Sequence, residues 1–363
     1  MTSKERVLTA LEHREPDRIP ITASFTPETA LRLENFLGLD NKEQITLHGG
    51  GYELDIKLGI DMLQTAVGVV ANYYLEGEEY IDNWGIKWKR CYYQAKYGHG
   101  SYTEMVGHPL EDDGAIDLYK PPDPFDENIY IQAKKLIKDY GGEFAIVGVV
   151  LATIFEAAWY LRGGIDKLLL DFTFSEDIAN RILDIPMNYH LEAGKRLIEL
   201  GCDLIWTGDD IGMQTNMLMS PKMWRKFLKP RMAKIFSEYK KVNNNIKIAY
   251  HSDGYIDPVI DDLVEIGMDI LNPLQPGPVD ISNLKKRYGK KISFWGGINI
   301  QKTLPFGTPD EVKKEVKQRI KELGEGGGYI IAPSHHIQLD VSIDNIMAFF
   351  EASKEYGKYP LKF

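Results

Sequence analysis

The run FAIVGVVLATIFE (residues 144–156) is the first of six short apolar segments that each end in polar and glycine residues. The other five are DLIWTGDD (203–210), KIAYHSDG (247–254), DILNPLQPG (269–277), ISFWGGIN (292–299) and YIIAPSHH (329–336). Helical patterns follow most of these runs, and strands that alternate with helices are typical of a parallel sheet. When such a sheet closes into a barrel, the carboxyl ends of its strands meet at one mouth, where catalytic residues lie. The pattern therefore predicts an α/β enzyme.

The N-terminal part of the chain has a different character. Residues 18–21 resemble a first short strand, and residues 27–70 have a helical pattern interrupted by glycines. An aromatic, alternating stretch from Tyr73 to Tyr102, with turn residues at 82–85, predicts β-hairpins. Together with the proline-rich connector that follows, it forms an insertion at about 73–126. No internal repeat or long linker is visible, so we predict one domain over residues 1–363.

Composition excludes several classes of function. The 363 residues carry a net charge of −10, with a pI near 5.4, which argues against nucleic-acid binding and against a polyanionic substrate. The two cysteines, Cys91 and Cys202, stand in no metal or redox spacing. The charged N-terminus does not resemble a signal peptide, and no apolar run reaches the length of a membrane span. We therefore predict a cytoplasmic protein without a membrane partner.

The sharpest chemical motif is HSDG at residues 251–254. His251 and Asp253 are two residues apart at a strand end, so their side chains can point to the same side, and both are zinc ligands by type. A third ligand would come from another strand end, where His335 and His336 stand, and we take His336 as the candidate. The alternative is that His251 is only hydrogen-bonded in the core.

Carboxylates at two strand ends are candidate catalytic groups. Asp209 and Asp210 are adjacent, so mutual repulsion can raise the pKa of one of them and suit it to proton transfer. The alternative is that one caps a turn while the other is solvated. Glu156 stands in an otherwise apolar segment, where a carboxylate needs a metal or a partner such as Arg162 or Arg225.

Four further residues are candidates for substrate binding. Gln275 and Asn299 follow strands and carry neutral amides that can orient a substrate, or that can equally satisfy loop backbone. Trp206 and Tyr250 lie at strand ends, where aromatic side chains belong either to the pocket or to the core. The same ambiguity holds for Trp295.

Several motifs resemble the uroporphyrinogen decarboxylase superfamily over nearly the whole chain. They are EPDRIP (15–20), GDDIGMQTNMLMSPKMWRKFLKP (208–230), HSDG (251–254), WGGIN (295–299) and APSHHIQLDVSIDNI (332–346). The resemblance implies a single (β/α)8 TIM-type barrel, which here carries an N-terminal helical extension and the β-hairpin insertion. Relatives of this kind are often dimers, and a homodimer is one of the oligomeric states that the sequence leaves open.

The superfamily has two main functional branches. Its decarboxylases neutralise the carboxylates of a porphyrinogen with an N-terminal arginine-rich motif, whereas this chain has ITASFTPETALRLENFLG after Pro20, with no arginine pair and an isolated Arg32. The other branch transfers methyl groups to or from a corrinoid (cobalamin) bound to a separate protein. No Asp-x-His-x-x-Gly motif for binding cobalamin occurs here, so a corrinoid-binding partner protein would supply the cofactor.

The resemblance also suggests a change in the zinc ligands. Thiol-specific methyltransferases of the family bind zinc through His-x-Cys and a distant Cys, whereas this chain has Asp253 in the first Cys position. Histidine and carboxylate leave Zn²⁺ a stronger Lewis acid, which suits removal of a methyl group from oxygen or nitrogen. The resemblance thus implies a zinc-dependent methyltransferase acting on a small methylated substrate, such as an aryl methyl ether in an O-demethylation. The alternatives are tetrapyrrole decarboxylation and a corrinoid- or porphyrin-binding protein without catalysis.

Overall fold

The fold was analysed in a computed structural model that describes residues 1–40, 51–73, 75 and 77–363. Its strands, in chain order, are β1 (Met62–Ala66), β2 (Glu79–Ile81), β3 (Lys87–Ala95), β4 (Gly98–Gly107), β5 (Ala145–Val149), β6 (Leu204–Gly208), β7 (Lys247–His251), β8 (Ile270–Leu274), β9 (Ser293–Ile298) and β10 (Tyr329–Pro333). Seven of them form one parallel sheet in the order β1-β5-β6-β7-β8-β9-β10. The six strands β5 to β10 correspond to the six apolar runs.

Residues 18–22 close this sheet into a barrel between β10 and β1. The Thr22 amide donates to the carbonyl of Ile331 at 3.1 Å, and the Ile331 amide donates to that of Pro20 at 3.0 Å. On the other side, the Asp61 amide donates to the Ile21 carbonyl at 2.8 Å. The segment is therefore the first of eight barrel strands, and the predicted (β/α)8 fold is confirmed.

Helices surround the barrel and extend its N-terminus. They are α1 (Ser3–Leu11), α2 (Pro27–Leu37), α3 (Tyr52–Leu58), α4 (Ile131–Tyr140), α5 (Phe155–Arg162), α6 (Ile165–Phe174), α7 (Glu176–Leu200), α8 (Pro221–Phe227), α9 (Lys229–Val242), α10 (Asp257–Glu265), α11 (Ile281–Tyr288), α12 (Thr303–Phe306), α13 (Pro309–Leu323) and α14 (Ile343–Tyr356). Among the described residues, none of these helices is long and apolar enough to cross a membrane.

The helical pattern predicted for residues 27–70 is only partly correct. Helices α2 and α3 end at Gly38 and Gly59, both in the left-handed conformation that glycine adopts at helix ends. Residues 62–66, however, form the barrel strand β1. This strand is short and has a polar Gln64 at its centre, so it lacks the apolar run that marks the other strands. Residues 41–50 of the predicted helical region lie outside the described residues.

The insertion is a three-stranded antiparallel sheet in the order β2-β3-β4, which confirms the predicted hairpins. Its first turn is held by Asp82, as the turn chemistry suggested. One carboxylate oxygen accepts from the amides of Trp84 and Ile86, both at 2.9 Å, and the other accepts from the Trp88 indole at 2.9 Å. Residues 74 and 76, at the start of the predicted stretch, lie outside the described residues.

This small sheet is attached to the carboxyl-terminal mouth of the barrel. The Ser101 amide donates to Glu28 Oε1 at 2.8 Å, and the Tyr97 amide donates to the Leu339 carbonyl at 3.1 Å. Leu339 belongs to the loop after β10, which carries the two adjacent histidines. The insertion therefore packs beside the loops in which the sequence predicts a site.

Candidate metal and substrate site

Three side chains of metal-ligand type meet at the ends of β6 and β7. Asp210, His251 and Asp253 each offer one ligand atom that lies within 4.8 Å of the other two. His251 Nε2 is 3.6 Å from Asp210 Oδ1, which also accepts the Asp253 amide at 2.8 Å. Parallel pairing places Gly208 of β6 opposite His251, so the loop after β6 runs directly over the histidine. Two strand ends thus bring together two oxygen donors and one nitrogen donor.

The ring orientation of His251 is set by Asn272 on β8. The Asn272 Oδ1 accepts from the Trp206 indole at 3.0 Å, so this atom is an acceptor, and His251 Nδ1 donates to it at 2.6 Å. Asn272 Nδ2 donates to the Trp295 carbonyl at 3.3 Å, which agrees with this assignment. Nδ1 therefore carries a proton, and Nε2 is the ring nitrogen that faces the carboxylates. Metal-bound histidines generally have such an outer partner.

The two adjacent aspartates point in different directions. The Asp209 carboxylate, 1% exposed, accepts the amides of Ile154 and Glu156 at 2.9 and 3.0 Å and so caps the N-terminus of α5. Burial raises its pKa to about 7, although the amide hydrogen bonds oppose this shift. The side chain of Asp210 is 40% exposed and belongs to the three-residue cluster. Of the two predicted catalytic aspartates, only Asp210 lies at the cluster.

Glu156 lies beside this cluster on the first turn of α5. Its Oε2 accepts the Asp210 amide at 2.9 Å, and its Oε1 accepts the Tyr160 hydroxyl at 3.1 Å. Burial raises the pKa of Glu156 well above its usual range, and repulsion from Asp210 and Asp209 acts in the same direction. The two arginines considered as partners are engaged elsewhere, Arg162 with Asp171 and Arg225 with Asp262. Glu156 thus contacts the loop of Asp210, and its catalytic role stays a prediction.

The histidines after β10 approach the cluster from another strand end. The ring centroid of His335 lies 6.4 Å from that of His251 and 4.6 Å from that of His336. Burial lowers the pKa of His335, while the Asp253 carboxylate opposes this shift. His336, the predicted third ligand, is not a member of the three-residue cluster. The third side chain of that cluster is Asp210.

A cavity of ≈ 70 Å³ lies next to the cluster inside the barrel mouth. Its lining residues are Thr22, Ala23, Ser24, Gln64, Leu151, Trp206, His251, Asn272, Trp295, Ala332, Pro333, Ser334, His335 and His336. The indoles of Trp206 and Trp295 contact each other, with ring centroids 4.6 Å apart, and give the cavity an apolar side. Among the described lining residues there is no lysine or arginine.

The other predicted substrate-binding residues are not in the lining of this cavity. Tyr250 is 1% exposed and therefore belongs to the core. Gln275 Oε1 accepts the Gly254 amide at 2.9 Å, so it holds the loop after β7. Asn299 Oδ1 accepts the amides of residues 301 and 302, at 2.8 and 2.9 Å. Both amides therefore satisfy loop backbone, the alternative that the sequence left open.

Two arginines of the N-terminal region, Arg6 and Arg18, are used at the opposite end of the barrel. Asp61, which is completely buried just before β1, accepts from Arg6 at 2.7 Å and from Arg18 at 2.7 and 3.0 Å. It also accepts the Ile21 amide at 2.8 Å. In barrel enzymes this end serves stability rather than chemistry. These two cations are therefore not at the mouth.

Sequence comparison finds relatives that are named as methyltransferases and relatives that are named as decarboxylases. The methylcobamide:CoM methyltransferase MtaA of Methanosarcina barkeri is 25% identical over 376 residues, covering 98% of this chain and 98% of that protein. The uroporphyrinogen decarboxylase of Crocosphaera subtropica is 21% identical over 264 residues, covering 69% of this chain and 70% of that protein.

A solved structure has a fold similar to that of this chain. A methyltransferase from Methanosarcina mazei is similar in fold, with a TM-score of 0.73 and 21% identity, and the match covers 98% of this chain and 99% of that one. The family model described as uroporphyrinogen decarboxylase (URO-D) matches residues 94–356, which is most of the chain. The chain therefore belongs to the uroporphyrinogen decarboxylase (URO-D) family.

Proposed function

We propose that the protein is a zinc-dependent methyltransferase that moves a methyl group between a small methylated substrate and the cobalt of a corrinoid on a partner protein. The observation that carries the proposal is the cluster of Asp210, His251 and Asp253 beside a cavity whose described lining contains no lysine or arginine. A relative that matches 98% of this chain is named a methylcobamide:CoM methyltransferase, which supports the same reaction class.

The donor set fits zinc. Two ligands at roughly 2.1 Å from one ion are at most about 4.2 Å apart, so atoms within 4.8 Å of one another need only a small side-chain adjustment. Nitrogen and carboxylate oxygen are both usual zinc ligands, and His251 already turns its Nε2 towards the Asp210 carboxylate. Three protein ligands leave a further position open, as in catalytic zinc sites. Zinc bound there supplies Lewis acidity to the heteroatom that carries the methyl group.

The chain's own residues organise the reaction around this position. Asn272 holds the His251 ring, and Asp209 holds the first turn of α5 so that Glu156 reaches the loop of Asp210. When the methyl group passes to Co(I), the heteroatom keeps the bonding electron pair and takes up a proton. Glu156, with its raised pKa, is suited to hold that proton at a carboxylate oxygen. Asp209 then acts as a positioning residue.

The cavity bears on the choice of substrate. An aryl methyl ether was the example suggested by the sequence, but a cavity of about 150 Å³ is what holds benzene in a protein interior. The ≈ 70 Å³ found here is smaller, but this cavity is partly open at the barrel mouth, so a larger donor can extend out of it.

The alternative, decarboxylation of a tetrapyrrole, fits these observations less well. A porphyrinogen carries many carboxylates, whereas the described lining contains no arginine or lysine and Arg6 and Arg18 are bound to Asp61. Incubation with uroporphyrinogen followed by counting of the remaining carboxyl groups tests this alternative directly. Binding without catalysis predicts stoichiometric corrinoid binding that Asp209→Ala and Asp210→Ala leave unchanged.

The central test is metal analysis of the wild type beside His251→Ala, combined with a methylation assay. We expect about one zinc per chain in the wild type, loss of that zinc in the variant, and methylation of added Co(I) corrinoid only with the wild type. Asn299→Ala, a strand-end change away from the cavity, is the matched control and should keep both properties. A wild type that carries no metal, or that methylates the corrinoid equally well after metal removal, would refute the zinc mechanism.

A further inference from the structure

A tyrosine hydroxyl holds one end of the Glu156 carboxylate while the other end holds the loop of Asp210. Glu156 and Tyr160 are one helical turn apart on α5, so their side chains lie on the same face of the helix. The Tyr160 hydroxyl donates to Glu156 Oε1 at 3.1 Å, and Glu156 Oε2 accepts the Asp210 amide at 2.9 Å. A glutamate side chain has several rotatable bonds, and a hydrogen bond at one oxygen restricts where the other oxygen lies. Tyr160 thereby helps to fix the peptide group of a member of the metal cluster.

The insertion contacts Tyr160 through three of its residues. The Tyr73 hydroxyl lies 3.0 Å from the Tyr160 hydroxyl. His108 Nδ1 donates to the Tyr160 carbonyl at 2.7 Å, because a carbonyl oxygen can only accept. The Trp88 indole packs edge-on against the Tyr160 ring, with centroids 6.3 Å apart. Tyr160 is 7% exposed, and it connects the insertion to the helix turn that carries Glu156.

The hydrogen bonds between these groups have a defined direction when Glu156 is ionised. A carboxylate can only accept, so Tyr160 uses its single hydroxyl proton on Glu156. The Tyr160 oxygen then accepts from Tyr73, whose hydroxyl is the donor. Hydrogen bonds to a charged acceptor are stronger than those between neutral groups. A continuous row of hydrogen bonds therefore joins the insertion to the amide of Asp210.

The position of Asp210 matters because three side-chain atoms have to converge on one ion. Asp210 Oδ1 lies 3.6 Å from His251 Nε2 and also accepts the Asp253 amide, so a displaced Asp210 disturbs both other members of the cluster. Groups that hold a metal ligand without touching the metal typically change its affinity about 10- to 100-fold. We propose that Tyr160 is a positioning residue through which the insertion orients Asp210 for metal binding. The inference rests on the proposed zinc site and identifies residues that hold one of its ligands.

Competition for zinc with a coloured chelator tests the inference in three tyrosine variants. Tyr160→Phe keeps the ring and should weaken zinc binding about tenfold, the lower end of the range for outer partners, because Glu156 stands between Tyr160 and the ligand. Tyr73→Phe leaves the bond between Tyr160 and Glu156 in place and should weaken zinc binding by a smaller factor, about threefold. Tyr239→Phe is the matched control, since its hydroxyl is also buried but donates to the His190 carbonyl at 2.6 Å, between α9 and α7. This control should keep the wild-type dissociation constant.

Two further measurements show whether Tyr160 acts through Glu156. In a Glu156→Ala background, Tyr160→Phe should change the zinc dissociation constant no further, because residues of one hydrogen-bond network are not additive. Amide hydrogen exchange at Asp210, measured on the metal-free protein, should be faster in Tyr160→Phe than in the wild type, because the acceptor of this amide is less restrained.

An unchanged zinc dissociation constant in Tyr160→Phe, or an equal loss with and without Glu156, would overturn the inference. If Tyr160→Phe does not fold, Tyr73→Phe decides, and an unchanged constant there overturns it as well. The exchange measurement needs no zinc and so separates this inference from the proposed function. Faster exchange in Tyr160→Phe of a protein that binds no zinc would refute the zinc mechanism, whereas zinc binding that Tyr160→Phe leaves unchanged would refute only the role of Tyr160.

Discussion

Replacement of Asn272 by leucine should weaken zinc binding without touching a ligand. Leucine has a similar size but no acceptor, so His251 Nδ1 and the indole nitrogen of Trp206 both lose the partner that they share at 2.6 and 3.0 Å. The imidazole proton is then free to move to Nε2, where it removes the lone pair that faces Asp210 and Asp253. Loss of such an outer partner typically costs about 10- to 100-fold in metal affinity, or about 1.4–2.7 kcal/mol.

The same change should also lower the free energy of unfolding. Trp206 is 7% exposed, and a buried donor left without an acceptor costs about 1–3 kcal/mol. Competition for zinc with a coloured chelator measures the affinity, and urea unfolding of the metal-free protein measures stability. Asn272→Asp, which keeps an acceptor oxygen for His251, is the control and should bind zinc at least as tightly as the wild type. If Asn272→Leu bound zinc with the wild-type dissociation constant, the reasoning about the imidazole proton would be wrong.

Two further predictions concern stability. Asp61→Asn should lower the free energy of unfolding by about 3 kcal/mol, because it leaves Arg6 and Arg18 without the buried charge that they share. The control is Asp17→Asn, at a 43% exposed side chain, which should lower that free energy by less than about 1 kcal/mol. Equal losses in the two variants, measured by urea unfolding, would contradict the role of Asp61. Burial lowers the pKa of His190 to about 4, below the unfolded value, so its contribution is complete above pH ~6.5 and is lost as the pH falls towards 4. His190→Gln should therefore flatten the acid limb of stability against pH by up to about 3 kcal/mol, and an identical pH dependence in variant and wild type would refute it.

Most of the barrel could be predicted from sequence because buried parallel strands are continuous apolar runs. The exception was β1, whose five residues include Gln64, a side chain that lines the cavity. A polar side chain that faces the cavity interrupts the continuous apolar run by which a buried strand is identified in the sequence. The helical pattern around it then extended across residues 62–66 without an obvious break.

The sequence indicates which residue types stand at strand ends, but it does not indicate where their side chains point. Asp209 and Asp210 have the same chemistry, yet one caps a helix and the other joins His251. Asn272 was not considered because it lies within an apolar strand rather than after it, although its neighbours make it the partner of the histidine. No pattern in a single sequence distinguishes a strand-end amide that binds loop backbone, such as Gln275, from one that faces a cavity.

The loops at the mouth are held mainly through their peptide groups. Asp209 binds the amides at the start of α5, Ser252 Oγ accepts the Ile211 amide at 3.1 Å, and Gln275 binds the Gly254 amide. Gly208 allows the backbone after β6 to approach β7, since a Cβ there would lie 2.1 Å from the His251 carbonyl oxygen. The framework thus depends little on the side chain at position 253. Replacement of a thiolate by a carboxylate at that position during evolution would therefore alter the reactivity of the pocket while the surrounding architecture remained unchanged.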